Sequence, residues 1–208
     1  MQKILLALTL LGGVLTGCQK DPLENMSDAE SRIYVTNRDS SANFGSFKTY
    51  YVDSVAVIDN NQIRQNQGTS WDAAFISSVK SAMNARGYTL VSRSQSPDIA
   101  ITISRLYNTT TNVVSYPSYY DGYGGFYDPY YWGYDNYNYY FPTSYGLYQT
   151  TETAVSVDML DLKNAPATNT IRGIWHGLIR GAGIFNSANT ASQVNALFEQ
   201  SAYIHSNP

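Results

Sequence analysis

Tyrosine and aspartate recur together in one part of this sequence, where their types and spacing are those of a binding surface. The pattern Tyr-Asp-x-Tyr occurs three times at intervals of seven residues within 120–137, YDGYGGFYDPYYWGYDNY. A tyrosine ring has a large rigid face and a polar tip, so a cluster of such rings can hold sugars or protein surfaces by stacking and hydrogen bonding. The candidate binding residues are Tyr120, Tyr123, Tyr127, Tyr130, Trp132, Tyr134 and Tyr137.

The same stretch allows two other interpretations. Residues 116–148 contain thirteen of the nineteen tyrosines, interrupted by prolines and glycines, which indicates a long loop-like insertion. Such a tyrosine-glycine repeat can also be a cover over the sheet or a mobile segment. Asp121, Asp128 and Asp135 could offer oxygen ligands to calcium, but calcium loops with readable signatures space their ligands two residues apart. Binding and covering remain the open alternatives, and we expect no metal or other cofactor.

Side chains able to catalyse a reaction are few. His176 and His205 are the only histidines, and they lie on different predicted elements. The sequence contains no Gly-x-Ser-x-Gly elbow, HExxH stretch or paired-cysteine motif. Asp158 and Asp161 are an odd number of residues apart, so a regular strand would point them to opposite faces. We expect a protein that is not an enzyme, in which His176 is a partly buried or cross-strand residue.

The only cysteine, Cys18, points to a different chemistry. Residues 1–17 have a positive start and then about a dozen apolar residues, which is the form of a secretory signal and too short to span a bilayer. The stretch LTGC at 15–18 resembles a bacterial lipobox, which implies cleavage before Cys18 and acylation of this residue; an ordinary signal peptide with an incidental cysteine is the alternative. Acylation also explains a lone thiol in an oxidising compartment, and several acyl chains anchor a protein stably to a membrane.

The residues after Cys18 and the net charge of the chain indicate where the protein is located and which partners it can bind. The polar residues 18–31 predict a flexible tether ahead of a domain at 32–208. Gln19 stands where sorting rules of enteric bacteria place a retaining aspartate, so we expect the outer membrane, on its periplasmic face or on the cell surface. The run 19–24 also loosely resembles a surface-export tag, with a merely hydrophilic linker as the alternative. The net charge of −3 without a basic cluster argues against nucleic acid and leaves envelope proteins or glycans as candidate partners.

Hydrophobic periodicity predicts an α+β domain with a long Tyr/Gly-rich insertion. A helical stripe runs through SWDAAFISSVKSAMNARGY, with Ser70 as a cap and Gly87 as a stop. SPDIAITISRLY, TETAVSVDMLDL and TIRGIWHGLIRGAGI alternate as strands that are apolar on one face, and a second helical pattern runs through ANTASQVNALFEQSAYI. With two further strands near 33–35 and 47–52, this order predicts a single antiparallel sheet with two helices packed on one face.

The lipobox, ANFGSFKTYYV, NARGYTLV, SPDIAITIS and IRGIWHGLIRG together resemble the bacterial envelope lipoproteins grouped as domain of unknown function 4136. The likeness covers roughly residues 33–205, and His176 occupies the slot where that family tends to have a basic residue between Trp and Gly. The resemblance implies an envelope lipoprotein and brings no catalytic residue. We therefore expect a non-catalytic structural or assembly accessory of the outer membrane; the alternative is a surface-displayed module that binds glycan or protein through its tyrosines.

Overall fold

A computed structural model describes residues 26–60, 62–107, 128–142 and 153–207. Within them the chain forms eight strands and three α-helices. The strands are β1 (Ile33–Arg38), β2 (Thr49–Asp59), β3 (Gln62–Arg64), β4 (Thr89–Leu90), β5 (Ile99–Tyr107), β6 (Asn138–Tyr140), β7 (Ala154–Asp161) and β8 (Thr170–Arg180). The helices are α1 (Ser70–Ala85), α2 (Ala165–Thr168) and α3 (Thr190–Glu199).

The described strands form one mixed sheet in the order β1-β8-β7-β5-β2-β3, with β4 beside β2 and β6 beside β8. The pairs β1–β8, β8–β7, β7–β5 and β2–β3 are antiparallel, but β5 and β4 run parallel to β2, and β6 runs parallel to β8. The mixed α and β composition predicted from the sequence is confirmed, whereas the expectation of a purely antiparallel sheet was wrong. Because α1 lies between β2 and β5 and carries the chain back to the end where β2 began, the next strand runs in the same direction.

Local sequence explains where α1 begins and ends. The helix is capped by Thr69 and not by Ser70: the Thr69 hydroxyl accepts from the Asp72 amide at 3.2 Å, and the Asp72 carboxylate accepts from the Thr69 amide at 2.8 Å. This reciprocal arrangement satisfies two amide groups that a helix start would otherwise leave unpaired. After the C-cap residue, Gly87 takes a φ of +84°, a conformation that a residue with a side chain rarely adopts.

The main core lies between the sheet and the two longer helices. The predicted stripe of α1 is buried, and it packs in one cluster with residues of α3 and with every second residue of the central strands. From α1 the cluster takes Trp71, Phe75, Val79 and Met83; from β5 it takes Ile99, Ile101 and Ile103; from α3 it takes Val194, Leu197 and Phe198. Burial of this many large apolar side chains is the dominant favourable contribution to folding.

The opposite face of the sheet is buried as well, which the alternation of the strands does not predict. Its small and polar side chains, such as Thr102 and Ser104 of β5, are almost completely inaccessible to solvent. A second apolar cluster lies on this face and includes Ala100 and Leu106 of β5 together with Trp132 and Phe141. Part of the tyrosine-rich segment 128–142 therefore packs on the face that the sequence pattern assigns to solvent.

Candidate functional site

The predicted site residues divide between described and undescribed parts of the chain. Cys18, Tyr120, Tyr123 and Tyr127 lie outside the described residues, as do most of the predicted insertion at 116–148 and the predicted signal segment. Within the described segment 128–142, the candidates are Tyr130, Trp132, Tyr134 and Tyr137.

A short 3-10 turn at Pro129–Trp132 holds the first of these tyrosines. Asp128 precedes the turn, and its Oδ1 atom accepts from the amide of Tyr130 at 3.0 Å. Gly133 ends the turn with a φ of +88°. Cap, proline and glycine therefore give residues 128–133 a defined turn structure, in which one oxygen of Asp128 is used by the backbone. Among the described residues, no group of three or more His, Cys, Asp or Glu side chains is placed to hold a metal ion.

Most of the aromatic candidates in this segment are used for packing. Trp132 is only 8% exposed, and its ring lies edge-on to those of Tyr131, at 4.9 Å between centroids, and of Tyr51 in β2 at 6.3 Å. The hydroxyl of Tyr134 donates to the carbonyl of Leu162 at 2.8 Å, and its ring stacks on that of Tyr137 at 4.9 Å. These three candidate side chains form part of the cover over the second sheet face.

The end of this cover requires a glycine in β8. Phe141 lies so close to Gly173 that a Cβ atom at this position would come within 2.1 Å of its ring carbons. β8 also departs from regular pairing with β7 at this point, between the pairs Met159–Trp175 and Leu160–Gly173. The irregularity leaves Ile174 and Trp175 both in the core on the helix side.

Tyr130, in contrast, is 72% exposed, and it lines a cavity of about 330 Å³. The described residues around this cavity are Arg93, Asp128, Tyr130 and Tyr131. The guanidinium carbon of Arg93 lies 4.1 Å from the centre of the Tyr131 ring, a close cation–π contact. Tyr130 is thus the one predicted candidate in the described segment whose ring is largely presented to solvent.

Arg93 and Tyr131 were not identified from the sequence. Arg93 lies in a polar stretch after β4, and nothing in its local pattern places it beside a turn that comes more than thirty residues later. Burial raises the pKa of Tyr131 to about 12, and the nearby carboxylate of Asp53 acts in the same direction. The Tyr131 hydroxyl therefore stays protonated at neutral pH.

A second cavity of about 360 Å³ lies beside the start of β8 and the end of β7. Its charged groups are paired: Nη2 of Arg172 lies 2.6 Å from Oδ2 of Asp39, and the Ser41 hydroxyl donates to Oδ1 of Asp39 at 2.6 Å. Asp161 accepts from the amide and the side chain of Asn164 at 2.9 and 2.7 Å. The polar groups of this cavity therefore hydrogen-bond to one another, which is the arrangement expected of a structural polar cluster.

The buried histidine has a carboxylate partner. His176 of β8 stands directly opposite Asp158 of β7, and Nδ1 of the imidazole lies 2.6 Å from Oδ1 of the carboxylate. Both side chains are buried on the second face of the sheet. Neither residue lines either of the two cavities described above.

The N-terminal end of the described chain is fixed to the domain. Arg32 donates from Nε to the carbonyl of Ala182 at 3.1 Å, and the Ala182 amide donates to the Ser31 hydroxyl at 3.2 Å. Gly181, with a φ of +120°, allows the approach, since a Cβ there would lie 2.6 Å from the Ser31 carbonyl oxygen. Ser31, the last residue of the predicted tether 18–31, thus contacts the loop after β8.

This docking point and the Tyr130 cavity lie toward opposite ends of the sheet. Ile33 pairs with Arg180 at the end of β8, whereas β6, which follows the 3-10 turn, pairs at Thr170, the first residue of β8. Eleven residues of strand extend over roughly 30 Å. No helix in the described residues is long and apolar enough to cross a bilayer.

Comparison with known proteins identifies the family. The family described as Domain of unknown function (DUF4136) matches residues 34–201. A crystal structure of a DUF4136 family protein from Bacteroides thetaiotaomicron is similar with a TM-score of 0.66 and 25% identity, covering 84% of this chain and 98% of that one. The PelC dodecamer from Paraburkholderia phytofirmans matches at 10% identity and a TM-score of 0.41, over 85% of this chain and 99% of that one. No curated protein matches the sequence.

Proposed function

This chain belongs to the DUF4136 family, and we propose that it is an outer-membrane lipoprotein, acylated at Cys18, that acts as a non-catalytic structural or assembly accessory of the cell envelope. The observation that carries the proposal is the docking of Ser31 and Arg32 on the loop after β8. It supports a domain that is held close to its anchor in one preferred orientation.

The length of the remaining link supports the same view. Eight peptide units separate Cys18 from Met26, the first described residue, and a fully extended chain of this length reaches at most about 28 Å. With the lipid at Cys18, the end of the sheet near Ile33 and Arg180 would face the membrane. The opposite end, where the Tyr130 cavity lies, would then be presented to the envelope space or the exterior.

A non-catalytic role is consistent with how the described charged groups are used. Asp39 and Arg172 pair with each other, Asp72 pairs with Arg105 at 3.1 Å, and the His176 imidazole contacts a buried carboxylate. Hydrolytic sites of the Ser-His-Asp type need the histidine to face a reacting atom in an accessible cleft. We therefore propose a structural role for the His176–Asp158 pair.

Metabolic labelling with a palmitate analogue tests the anchor. The wild-type protein is expected to incorporate the label and to fractionate with outer membranes, and Cys18→Ala is expected to lose both properties. Protease shaving of intact cells, with a periplasmic protein as leakage control, assigns the membrane face. An unlabelled wild-type protein, or a Cys18→Ala protein that stays in the outer membrane, would overturn the anchoring proposal.

A second candidate function is a binding module, and one observation favours it. Tyr130 presents its ring to solvent on a turn defined by Asp128 and Gly133, at the end of the sheet away from the docked N-terminal segment. An exposed aromatic ring on a rigid turn is typical of a recognition surface. Under this alternative, the rest of the described aromatic segment supports the ring rather than contacting a ligand.

A further inference from the structure

We infer that the Tyr130 cavity, defined by Arg93, Asp128, Tyr130 and Tyr131, binds one sugar ring of a neutral polysaccharide. The inference rests on the second candidate function and specifies its ligand class. It is carried by an exposed aromatic face, an uncommitted donor and an uncommitted acceptor that surround the same space.

The aromatic face comes from Tyr130. Its ring is the most exposed of the large hydrophobic side chains in the described part of the chain, and its backbone is held by the Asp128 hydrogen bond at one end and by Gly133 at the other. A sugar ring has faces of C–H groups that stack on such a surface. Because the backbone of the turn is held and a tyrosine has few rotatable side-chain bonds, binding costs this residue little conformational freedom.

The donor is the guanidinium of Arg93. It lies 4.1 Å from the centre of the Tyr131 ring and makes no hydrogen bond to another described residue. The contact with Tyr131 holds the guanidinium beside the cavity, and the N–H groups lie at the edges of its planar fork. Two neighbouring hydroxyl groups of a sugar can accept from this planar fork.

The acceptor is Asp128. Its Oδ1 atom accepts from the Tyr130 amide, and its Oδ2 atom makes no hydrogen bond to another described residue. A carboxylate oxygen of this cavity-lining residue can accept a hydrogen bond from a sugar hydroxyl, and a hydrogen bond to a charged group is stronger than one between neutral groups.

Charge and size narrow the ligand further. The carboxylate of Asp128 disfavours an anion and the guanidinium of Arg93 disfavours a cation, whereas a neutral hydroxylated ring satisfies both groups. A volume of about 330 Å³ lies at the lower end of small-molecule sites, which suits one ring of a chain whose neighbours extend past the exposed Tyr130.

The test uses the full chain purified in detergent and an array of immobilised neutral oligosaccharides of glucose, galactose, mannose and N-acetylglucosamine, with polygalacturonate as the anionic comparison. The wild-type protein is expected to retain at least one neutral glycan, and Tyr130→Ala to weaken this binding at least about tenfold. Arg93→Lys, which keeps the charge and loses the fork, and Asp128→Asn, which keeps a capping side chain, are expected to weaken it as well.

Tyr140→Ala is the matched control. Tyr140 is also an exposed tyrosine of the described segment, with 46% of its surface accessible. The guanidinium carbon of Arg172 lies 4.9 Å from the centre of its ring, but Tyr140 does not line the cavity. Its removal is expected to change glycan affinity less than about twofold. Circular dichroism and the unfolding temperature establish that each variant is folded.

Three outcomes would overturn the inference: binding of polygalacturonate alone, no binding of any neutral glycan, or equal losses for Tyr130→Ala and Tyr140→Ala. Cross-linking in intact cells separates this failure from failure of the binding-module function. If an envelope protein is cross-linked to the wild type but not to Tyr130→Ala while no glycan is retained, the sugar assignment falls and the binding module stands. If Tyr130→Ala changes neither glycan retention nor protein cross-linking, both the sugar assignment and the binding-module function are wrong.

Discussion

Nδ1 of His176 in β8 lies 2.6 Å from Oδ1 of Asp158, which is its directly paired residue in β7. Both side chains are buried on the second face of the sheet. Replacing Asp158 by alanine leaves the buried imidazole of His176 without the carboxylate that it contacts. We expect Asp158→Ala to lower the free energy of unfolding by about 3 kcal/mol. Urea unfolding measures this loss of free energy. Asp135→Ala is the control: Asp135 is exposed, so we expect little change in the free energy of unfolding.

A double-mutant cycle with His176→Ala isolates the pair from the other contacts of both residues. The two losses are expected to be non-additive by more than about 0.5 kcal/mol. Additive losses would show that the two side chains do not stabilise each other.

Gly173→Ala tests whether the aromatic segment packs firmly on β8. The new methyl group would overlap the ring of Phe141, so we expect a loss of about 1–3 kcal/mol in unfolding free energy. Because the overlap is with this ring, the same substitution made in a Phe141→Ala background should cost less. Equal costs in both backgrounds would mean that the ring is not the cause.

Two variants at the start of α1 separate the contribution of the helix cap to stability from that of the Asp72–Arg105 ion pair. Thr69→Ala removes one half of the capping arrangement and is expected to cost about 1 kcal/mol. Asp72→Ala removes the other half and also leaves Arg105, whose side chain is 12% exposed, without the carboxylate that lies 3.1 Å from its Nε, so its cost should be clearly larger. Thermal unfolding of the two variants ranks them, and a smaller loss for Asp72→Ala would contradict the role of the ion pair.

Acid stability should depend on Asp39. Burial alone would raise the pKa of this carboxyl, but the hydrogen bonds from Ser41 and Arg172 outweigh burial and lower the pKa below its ordinary value. A lowered pKa in the folded state stabilises the protein at pH values above the unfolded pKa, and this contribution disappears as the pH falls through the folded pKa. The unfolding free energy of the wild type should therefore fall more steeply than that of Asp39→Asn below about pH 4. Parallel curves from pH 6 to pH 2 would contradict this assignment.

The docked N-terminal segment can be released by one substitution. In Gly181→Ala the new Cβ would collide with the Ser31 carbonyl, and the φ of +120° is unfavourable for alanine. We expect trypsin to cleave after Arg32 several times faster than in the wild type, as followed by mass spectrometry of the released peptide. Gly133→Ala, with a φ of +88° and open space around it, is the control, because its strain lies at the other end of the sheet. An unchanged rate at Arg32 would show that the docking does not protect this site.

Several features of this protein were determined by the sequence alone, because they depend on residues close together in the chain. The apolar stripe of α1 and the alternation of β5 each bury one face of a single element, so periodicity identified them. The family was likewise predicted from short local motifs and confirmed by the match over 34–201. The cap of α1 was misplaced by one residue, since Thr69 and Ser70 are both suitable and only the observed hydrogen bonds distinguish them.

Other features were decided only by the tertiary structure, because they depend on contacts between distant parts of the chain. The parallel pairing of β2 with β5 follows from the path through α1, which local alternation does not record. The polar face of β5 is buried because other parts of the chain, among them the described aromatic segment, cover it. The cavity needs Arg93 and Tyr130, which are far apart in sequence, to meet at one end of the sheet. Residue type showed which side chains could stack or donate a hydrogen bond; folding decided that Trp132 is used for packing and that Tyr130 is left exposed.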